Sequence, residues 1–146
     1  MKIKVAWIGK TKAAGIQALT DEYLKRISRY AEIEGVALKD EAALLALARG
    51  DRGKGRHLLV LFDMRGKQVS SEELAAVLER EQAQSMPLLA AIGGSDGFTD
   101  AARRQAALTL SLGKMTLPHE LARVVVLEQI YRAFTILHKH PYHLGH

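Results

Sequence analysis

The sequence of 146 residues contains no cysteine. Disulfide bonds, thiolate metal sites and a cysteine nucleophile are therefore excluded. Long apolar runs are also missing, since none approaches the ~20 residues that a helix needs to cross a bilayer. Charged and apolar side chains alternate over the first five residues, and Gly9-Lys10 follows soon after, which is not the pattern of a signal peptide. We therefore expect a soluble, cytoplasmic protein.

Two common nucleotide-binding motifs are incomplete. Gly9-Lys10-Thr11 resembles the end of a phosphate-binding P-loop, but the first glycine of that loop would fall on Lys4. Gly93-Gly94-Ser95-Asp96-Gly97 lacks the spacing of the dinucleotide fingerprint, and no acidic residue follows about 20 positions later. A nucleotide hydrolase and a nicotinamide enzyme are therefore disfavoured.

The composition is that of an ordinary globular protein, with 48% hydrophobic and 25% charged residues. We expect residues 1–146 to form a single domain with one sizeable core. The net charge of +5 favours an acidic partner such as nucleic acid, but it is equally compatible with a role in solubility alone.

Apolar periodicity predicts alternating strands and helices, which is typical of an α/β fold with a parallel sheet covered on both faces. Strands are predicted at 2–8, 33–38, 58–63 and 88–92 and from 108 onward, and helices at 14–29, 40–48, 70–84 and from about 118. Ser70 and Glu73 have the spacing of a capping box. Residues 49–57 are predicted to be a mobile basic linker, and residues 63–67 a turn that ends a strand.

Three strand ends are suited to binding a ligand, because ligands of open α/β sheets lie beyond the carboxyl ends of the strands. These ends are residues 62–63, 93–97 and 112–117. Glycines at the second and third ends allow the backbone to approach a ligand closely. The helix that follows is apolar around most of its circumference, which predicts burial on two sides and a second subunit. Glu128 and Arg132 have the spacing of a local ion pair on this helix.

Several segments together resemble the RlmH family of small SPOUT-class methyltransferases over essentially the full chain. They are Val5–Lys10, Ile92-Gly-Gly-Ser-Asp-Gly97, Leu112-Gly-Lys-Met-Thr-Leu-Pro-His119, Arg123–Gln129, Tyr131-Arg-Ala133 and His140-Pro-Tyr-His143. The resemblance implies a C-terminal trefoil knot, a homodimer and S-adenosylmethionine as cofactor. It also implies methylation of N3 of a pseudouridine in helix 69 of 23S rRNA, on assembled ribosomes. The connection near residues 49–56 is shorter than the family pattern, which leaves open whether it touches RNA.

The resemblance also assigns site residues. Its cofactor contacts fall on Phe62, Gly93, Leu112, Gly113, Lys114, Met115, Thr116 and Leu117. Loss of the N3 proton calls for a nearby base or a cation. The candidates are His140, Tyr142 and His143, with Arg132 or Lys114 as charge stabilisers, and the proton acceptor among them stays open.

The same residues allow two alternatives to this interpretation. His138, His140, His143 and His146 are close in sequence, but without cysteine or an ordered carboxylate nearby we expect no metal site. The competing function is a non-catalytic RNA- or ribosome-binding module with the same fold. Binding of S-adenosylmethionine distinguishes the enzyme from such a module.

Overall fold

The computed structural model describes residues 1–144, which contain five strands and five α-helices. The strands are β1 (Lys2–Ile8), β2 (Glu32–Leu38), β3 (Leu58–Gln68), β4 (Leu88–Ile92) and β5 (Leu108–Ser111). The helices are α1 (Ala14–Ile27), α2 (Glu41–Arg49), α3 (Ser71–Gln82), α4 (Asp100–Gln105) and α5 (His119–Leu137). A short 3₁₀ helix, Pro141–Leu144, follows α5.

All strand pairs of the sheet are parallel, in the order β2-β1-β4-β3-β5. The central strand β4 is buried at every position, as expected for a parallel strand that has helices on both faces. Phe62 pairs with Ile92 of β4 and with Leu110 of β5, so the carboxyl ends of three strands meet at one edge. The predicted parallel α/β architecture is thus confirmed.

Helices cover the two faces of the sheet unequally. The larger apolar cluster joins α1, α3 and α5 to one face, and the smaller joins α2 and α4 to the other. Strand β1 shows how the alternation of side chains separates them, because Val5 belongs to the first cluster and Ala6 to the second. The predicted capping box of α3 is present, with Ser70 and Glu73 exchanging hydrogen bonds of 3.0 Å.

Helix α5 is covered mainly by its own chain. Its buried residues include Val126, Ile130 and Phe134, which belong to the cluster shared with α1, α3 and the sheet. The apolar circumference predicts a second subunit packed against α5, and that subunit stays a prediction. Intrachain packing accounts for most of the apolar surface, although Leu121 remains 41% exposed.

Three local predictions also differ from the structure. Residues 63–67 do not end the strand, because β3 continues to Gln68 and pairs again with β5 after a register shift. Residues 49–57 contain a hydrogen-bonded turn, Asp51–Lys54, where a mobile linker was predicted. Helix α4 was not predicted; its six residues are too short for a periodic pattern, although Thr99 caps it by accepting from the Ala102 N–H.

Within residues 1–144, the structure contains no helix that is both long and apolar enough to span a membrane.

Candidate functional site

A cavity of about 470 Å³ opens where the carboxyl ends of β3, β4 and β5 meet. This volume is within the range of sites for small molecules and cofactors. Its lining residues come from the three strand ends and the first two turns of α5: Phe62, Asp63, Met64, Arg65, Ile92, Gly93, Gly94, Ser95, Asp96, Gly97, Leu112, Gly113, Met115, Thr116, Leu117, His119, Ala122 and Val126. Apolar side chains and backbone therefore dominate the walls.

The glycine turn after β4 forms one wall and is held by Asp63. The Asp63 carboxylate is 5% exposed and accepts the Phe98 N–H at 3.0 Å and the Arg65 N–H at 2.9 Å. The turn itself closes through the Gly97 N–H, which donates to Gly94 O at 3.1 Å. Gly97 has φ +71°, a conformation that favours glycine. A Cβ on Gly93 would lie 3.2 Å from the Gly97 carbonyl carbon, so the two backbone segments are closely packed.

The loop after β5 forms the opposite wall. The Ser111 hydroxyl accepts the Gly113 N–H at 3.1 Å and donates to Gly113 O at 3.0 Å, which turns the chain sharply. Gly113 has φ +140°, again in the region that favours glycine. The loop ends at Pro118, which precedes the first residue of α5. Within this loop Met115 lines the cavity and is 86% exposed, so this wall offers apolar surface at the mouth of the cavity.

The start of α5 is fixed to the loop after β1. The Glu120 carboxylate accepts the Lys12 N–H at 2.9 Å and the Ala13 N–H at 3.3 Å. The hydrogen bond from Lys12 lowers the pKa of Glu120 below its ordinary value. Arg123 is 1% exposed, donates to the Thr11 hydroxyl and lies 4.2 Å from the centre of the Trp7 ring. These contacts hold α5, and therefore His119 and Ala122, against the sheet.

Seven of the eight residues predicted to contact a cofactor line this one cavity. They are Phe62, Gly93, Leu112, Gly113, Met115, Thr116 and Leu117. Lys114 is exposed and does not line the cavity, because its backbone lies in the turn between lining residues while its side chain is in solvent. What these residues bind is not tested by their positions and stays a prediction.

Several lining residues were missed by the sequence analysis. Asp63 and the turn Gly94–Gly97 belong to the strand ends that were expected to bind a ligand, but they were not predicted as cofactor contacts. His119 ends the motif Leu112–His119 but was not assigned to the site, and Ala122 and Val126 were not predicted either. An acidic residue at the end of a buried strand was an available signal for Asp63. The helix residues carried no such signal, because their contact with the cavity depends on how α5 packs.

The four predicted catalytic residues lie elsewhere in the chain. Arg132 is six residues, or about 9 Å, beyond Val126 along α5. Arg132 forms an ion pair with Glu128 at 2.9 Å, which confirms the predicted local pair, and Tyr142 donates to Glu128 at 3.1 Å. His140 accepts the Tyr142 N–H at 3.2 Å through Nδ1. Within residues 1–144, none of Arg132, His140, Tyr142 and His143 lines the cavity of its own chain.

The side chains of Glu128, Arg132, Tyr142 and their neighbours near the C-terminus, here called the C-terminal cluster, set one another's protonation states. Burial raises the pKa of Tyr142 well above its ordinary value, and the negative charge of Glu128 adds to the effect. The hydrogen bond to Glu128 raises the pKa of Arg132. Tyr142 is therefore a neutral hydrogen-bond donor and Arg132 a cation at physiological pH. His143 is half-buried, and its Nδ1 has no partner among the described residues.

Residues 1–144 contain no group of three or more His, Asp or Glu side chains that could hold an ion. His146, one of the four histidines considered for a metal site, lies outside the described residues.

The sequence model of a family described as "Predicted SPOUT methyltransferase" matches residues 1–143. The chain belongs to the SPOUT methyltransferase family. Within this family, the curated relatives are named ribosomal RNA large subunit methyltransferase H. The relative from Koribacter versatilis is 57% identical and covers 100% of both chains. The relative from Geobacter sulfurreducens is 43% identical and covers 98% of this chain and 99% of its own. The predicted membership of the RlmH family is thus confirmed.

Two solved structures of methyltransferases share the fold of this chain. The tRNA (m1G37) methyltransferase from Aquifex aeolicus aligns with a TM-score of 0.58 over 90% of this chain and 70% of its own, at 14% identity. The SpoU methyltransferase AviRb from Streptomyces viridochromogenes, solved in complex with the cofactor AdoMet, aligns with a TM-score of 0.55. It covers 90% of this chain and 57% of its own, also at 14% identity. At this identity the likeness concerns the fold alone.

Proposed function

We propose that this protein is an S-adenosylmethionine-dependent methyltransferase that modifies N3 of a pseudouridine in helix 69 of 23S rRNA. The observation that carries the proposal is the cavity of about 470 Å³ built from three adjacent strand ends in a member of the RlmH family. The names of the relatives support an rRNA substrate. The resemblance to the RlmH family supports the choice of nucleotide and atom. Assembled ribosomes, and hence the cytoplasm, are the expected setting.

The residues of the cavity fit the proposed cofactor. An adenine ring needs an apolar slot with backbone donors and acceptors beside it, and the walls at Gly93–Gly97 and Leu112–Leu117 offer both. Asp63 fixes the first wall and Ser111 the second, so neither has to be ordered on binding. S-adenosylmethionine, when bound there, supplies an electrophilic methyl group.

We further propose that residues 1–146 form one domain with a C-terminal trefoil knot and act as a homodimer. The dimer provides a way to bring catalytic residues to the cavity. In its own chain the cluster of Arg132, Glu128 and Tyr142 is remote from the cavity, so a composite site requires the cluster from a second copy. The exposed side chains of Leu112 and Met115, which line the cavity, and of Leu121, in the first turn of α5, are suited to such a contact.

The proposed role of the C-terminal residues is positioning and charge stabilisation. Tyr142 is held neutral by burial and by Glu128, so it suits donation of a hydrogen bond better than acceptance of a proton. Arg132 is a permanent cation and suits stabilisation of the imidate that forms when pseudouridine loses its N3 proton. His140 and His143 remain the candidates for the base.

The test of this role uses Tyr142→Phe and His143→Ala, assayed for methyl transfer to assembled ribosomes. We expect a reduction of about 10²–10⁴-fold for a residue that takes part in proton transfer, and a smaller one for a positioning residue. Full activity in both variants would remove the C-terminal segment from the mechanism.

Two measurements test the function as a whole. Calorimetry should detect binding of S-adenosylmethionine to the isolated protein; no binding would favour the non-catalytic module. Mass spectrometry of rRNA should find N3-methylpseudouridine in cells that carry the gene and only pseudouridine in cells that lack it. An unchanged nucleotide in the deletion strain would contradict the assigned substrate.

A further inference from the structure

The segment 49–56 concentrates positive charge. It contains the cations Arg49, Arg52, Lys54 and Arg56 against the single carboxylate of Asp51, a net charge of +3 in a chain whose total is +5. Charge gathered in one segment, rather than the total charge of a chain, is the signature of contact with a polyanion.

The segment forms an ordered turn. The Asp51 N–H donates to Lys54 O at 2.8 Å, and the Lys54 N–H donates to Asp51 O at 2.9 Å. The two central residues have positive φ, +52° at Arg52 and +80° at Gly53, as in a type I′ hairpin turn. Positive φ is rare for arginine, whereas asparagine is the usual residue at this position of the turn. An arginine at the tip therefore indicates a role other than forming the turn.

The cations of this segment make few side-chain contacts with the rest of the described chain. Arg49 ends α2, where a cation stabilises the helix dipole, and its guanidinium lies 3.5 Å from the Gln105 side chain. Arg52, Lys54 and Arg56 are exposed. Within residues 1–144 none of these three takes part in an ion pair or a side-chain hydrogen bond. All three cations are therefore exposed to solvent without a counter-charge among the described residues.

The base of the hairpin adds little to this field. Burial lowers the pKa of His57, and the positive charge of Lys4 lowers it further, so His57 is neutral at physiological pH. Lys4 is paired in the sheet with Glu34, whose negative charge opposes it. The basic surface is therefore that of the hairpin and Arg56.

The hairpin lies near the amino end of β3, whereas the cavity lies at the carboxyl ends of the strands. It precedes Leu58, the first residue of β3, whereas the cavity begins at Phe62 of the same strand. Four residues of extended strand separate the two by about 13 Å. An RNA phosphate at the hairpin is therefore separate from a nucleotide bound in the cavity.

We propose that the hairpin Asp51–Lys54, together with Arg56, is a second anchor that binds RNA phosphates away from the modified nucleotide. The inference rests on the proposed function, because it assigns a further contact to the same substrate. The anchor contributes affinity for a large, folded RNA and has no contact with the cofactor. Phosphate contacts carry no sequence information, which suits a surface of flexible cations on a rigid turn.

The test compares binding of the intact protein and its variants to assembled ribosomes at several salt concentrations. The anchor variant is Arg52→Asn, Lys54→Gln, Arg56→Gln, in which asparagine keeps the turn conformation while the charge is removed. The control variant is Lys25→Gln, Arg29→Gln, Arg80→Gln, which removes three exposed cations from α1, the turn after it, and α3 on the other face of the sheet. Both variants carry the same net charge.

Each phosphate contact adds roughly 0.7 to the slope of log K against log salt. We expect the anchor variant to lose about 2 from the slope and, at 0.15 M salt, up to about 50-fold in affinity. The control should retain the wild-type slope, and both variants should bind S-adenosylmethionine as the wild type does. A slope unchanged in the anchor variant, or lowered equally in the control, would overturn the anchor. If the wild type itself binds neither ribosomes nor the cofactor, the proposed function fails instead.

Discussion

Replacing Asp63 by alanine tests how the cavity is built. The carboxylate is buried, accepts the Phe98 and Arg65 N–H groups, and lies 3.5 Å from the guanidinium of Arg103. Arg103 keeps Asp100 and the Phe98 carbonyl as partners, so the substitution does not leave a buried cation alone. The substitution therefore removes two part-buried hydrogen bonds to a charged acceptor, one of them the long contact from Arg103, and one exposed hydrogen bond.

The expected cost is about 2–4 kcal/mol, since such bonds contribute roughly 1.5–3 kcal/mol when buried and less when water can replace them. For a chain of this length that corresponds to a fall of about 5–15 °C in Tm. The Gly94–Gly97 turn loses its anchor at the same time. We expect binding of S-adenosylmethionine to weaken at least about tenfold, or 1.4 kcal/mol.

Asp96 supplies the matched control. It lines the same cavity, but within residues 1–144 its carboxylate accepts no hydrogen bond. Asp96→Ala removes the same charge and should change stability by less than about 0.5 kcal/mol. Urea unfolding at one protein concentration and calorimetry of cofactor binding measure both quantities. If Asp63→Ala is no less stable than Asp96→Ala, then Asp63 does not hold the cavity together.

Two further predictions concern stability. Gly66→Ala should lower the free energy of unfolding measured in urea by about 2–3 kcal/mol, because its Cβ would lie 2.6 Å from the Thr109 backbone in the paired strand. The control is the exposed Gly15 of α1, where no atom lies within 4 Å of an added Cβ. Gly15→Ala should raise the free energy of unfolding by about 0.5–1 kcal/mol. Equal changes in the two variants would refute the clash at Gly66. The folded state lowers the pKa of Glu120, so its stabilising contribution is present above the ordinary value of 4.5 and is lost as pH falls through the folded value. Glu120→Gln should therefore make Tm depend less on pH below about pH 5. If the fall of Tm with decreasing pH were the same in the variant and the wild type, Glu120 would not stabilise the loop after β1 through Lys12 and Ala13.

Local features of the fold were predictable where a short stretch of chain decides them. The capping box of Ser70 and Glu73 and the ion pair of Glu128 and Arg132 each depend on residues three or four apart. Strands β1 and β4 follow from burial patterns within seven and five residues. Helix α4 was missed because six residues carry too little periodicity.

Long-range packing decided the remaining features. The continuation of β3 past Phe62 depends on Gly66, which allows the backbone of β5 to approach, and a separate chain segment supplies that neighbour. The role of Asp63 depends on Phe98, 35 residues away, whose N–H it accepts. Neither partner can be identified from the residues beside each position.

The strand ends that supply the cavity could be read from the chain alone, because glycine and apolar residues at those points have few other uses. The placement of α5 could not, since its apolar surface is equally compatible with a neighbouring subunit and with α1 and α3. Only the folded chain shows that α1 and α3 cover it, and that Tyr142 and Arg132 meet at Glu128, apart from the cavity. Burial free energy depends on the amount of apolar surface removed from water and not on which segment covers it.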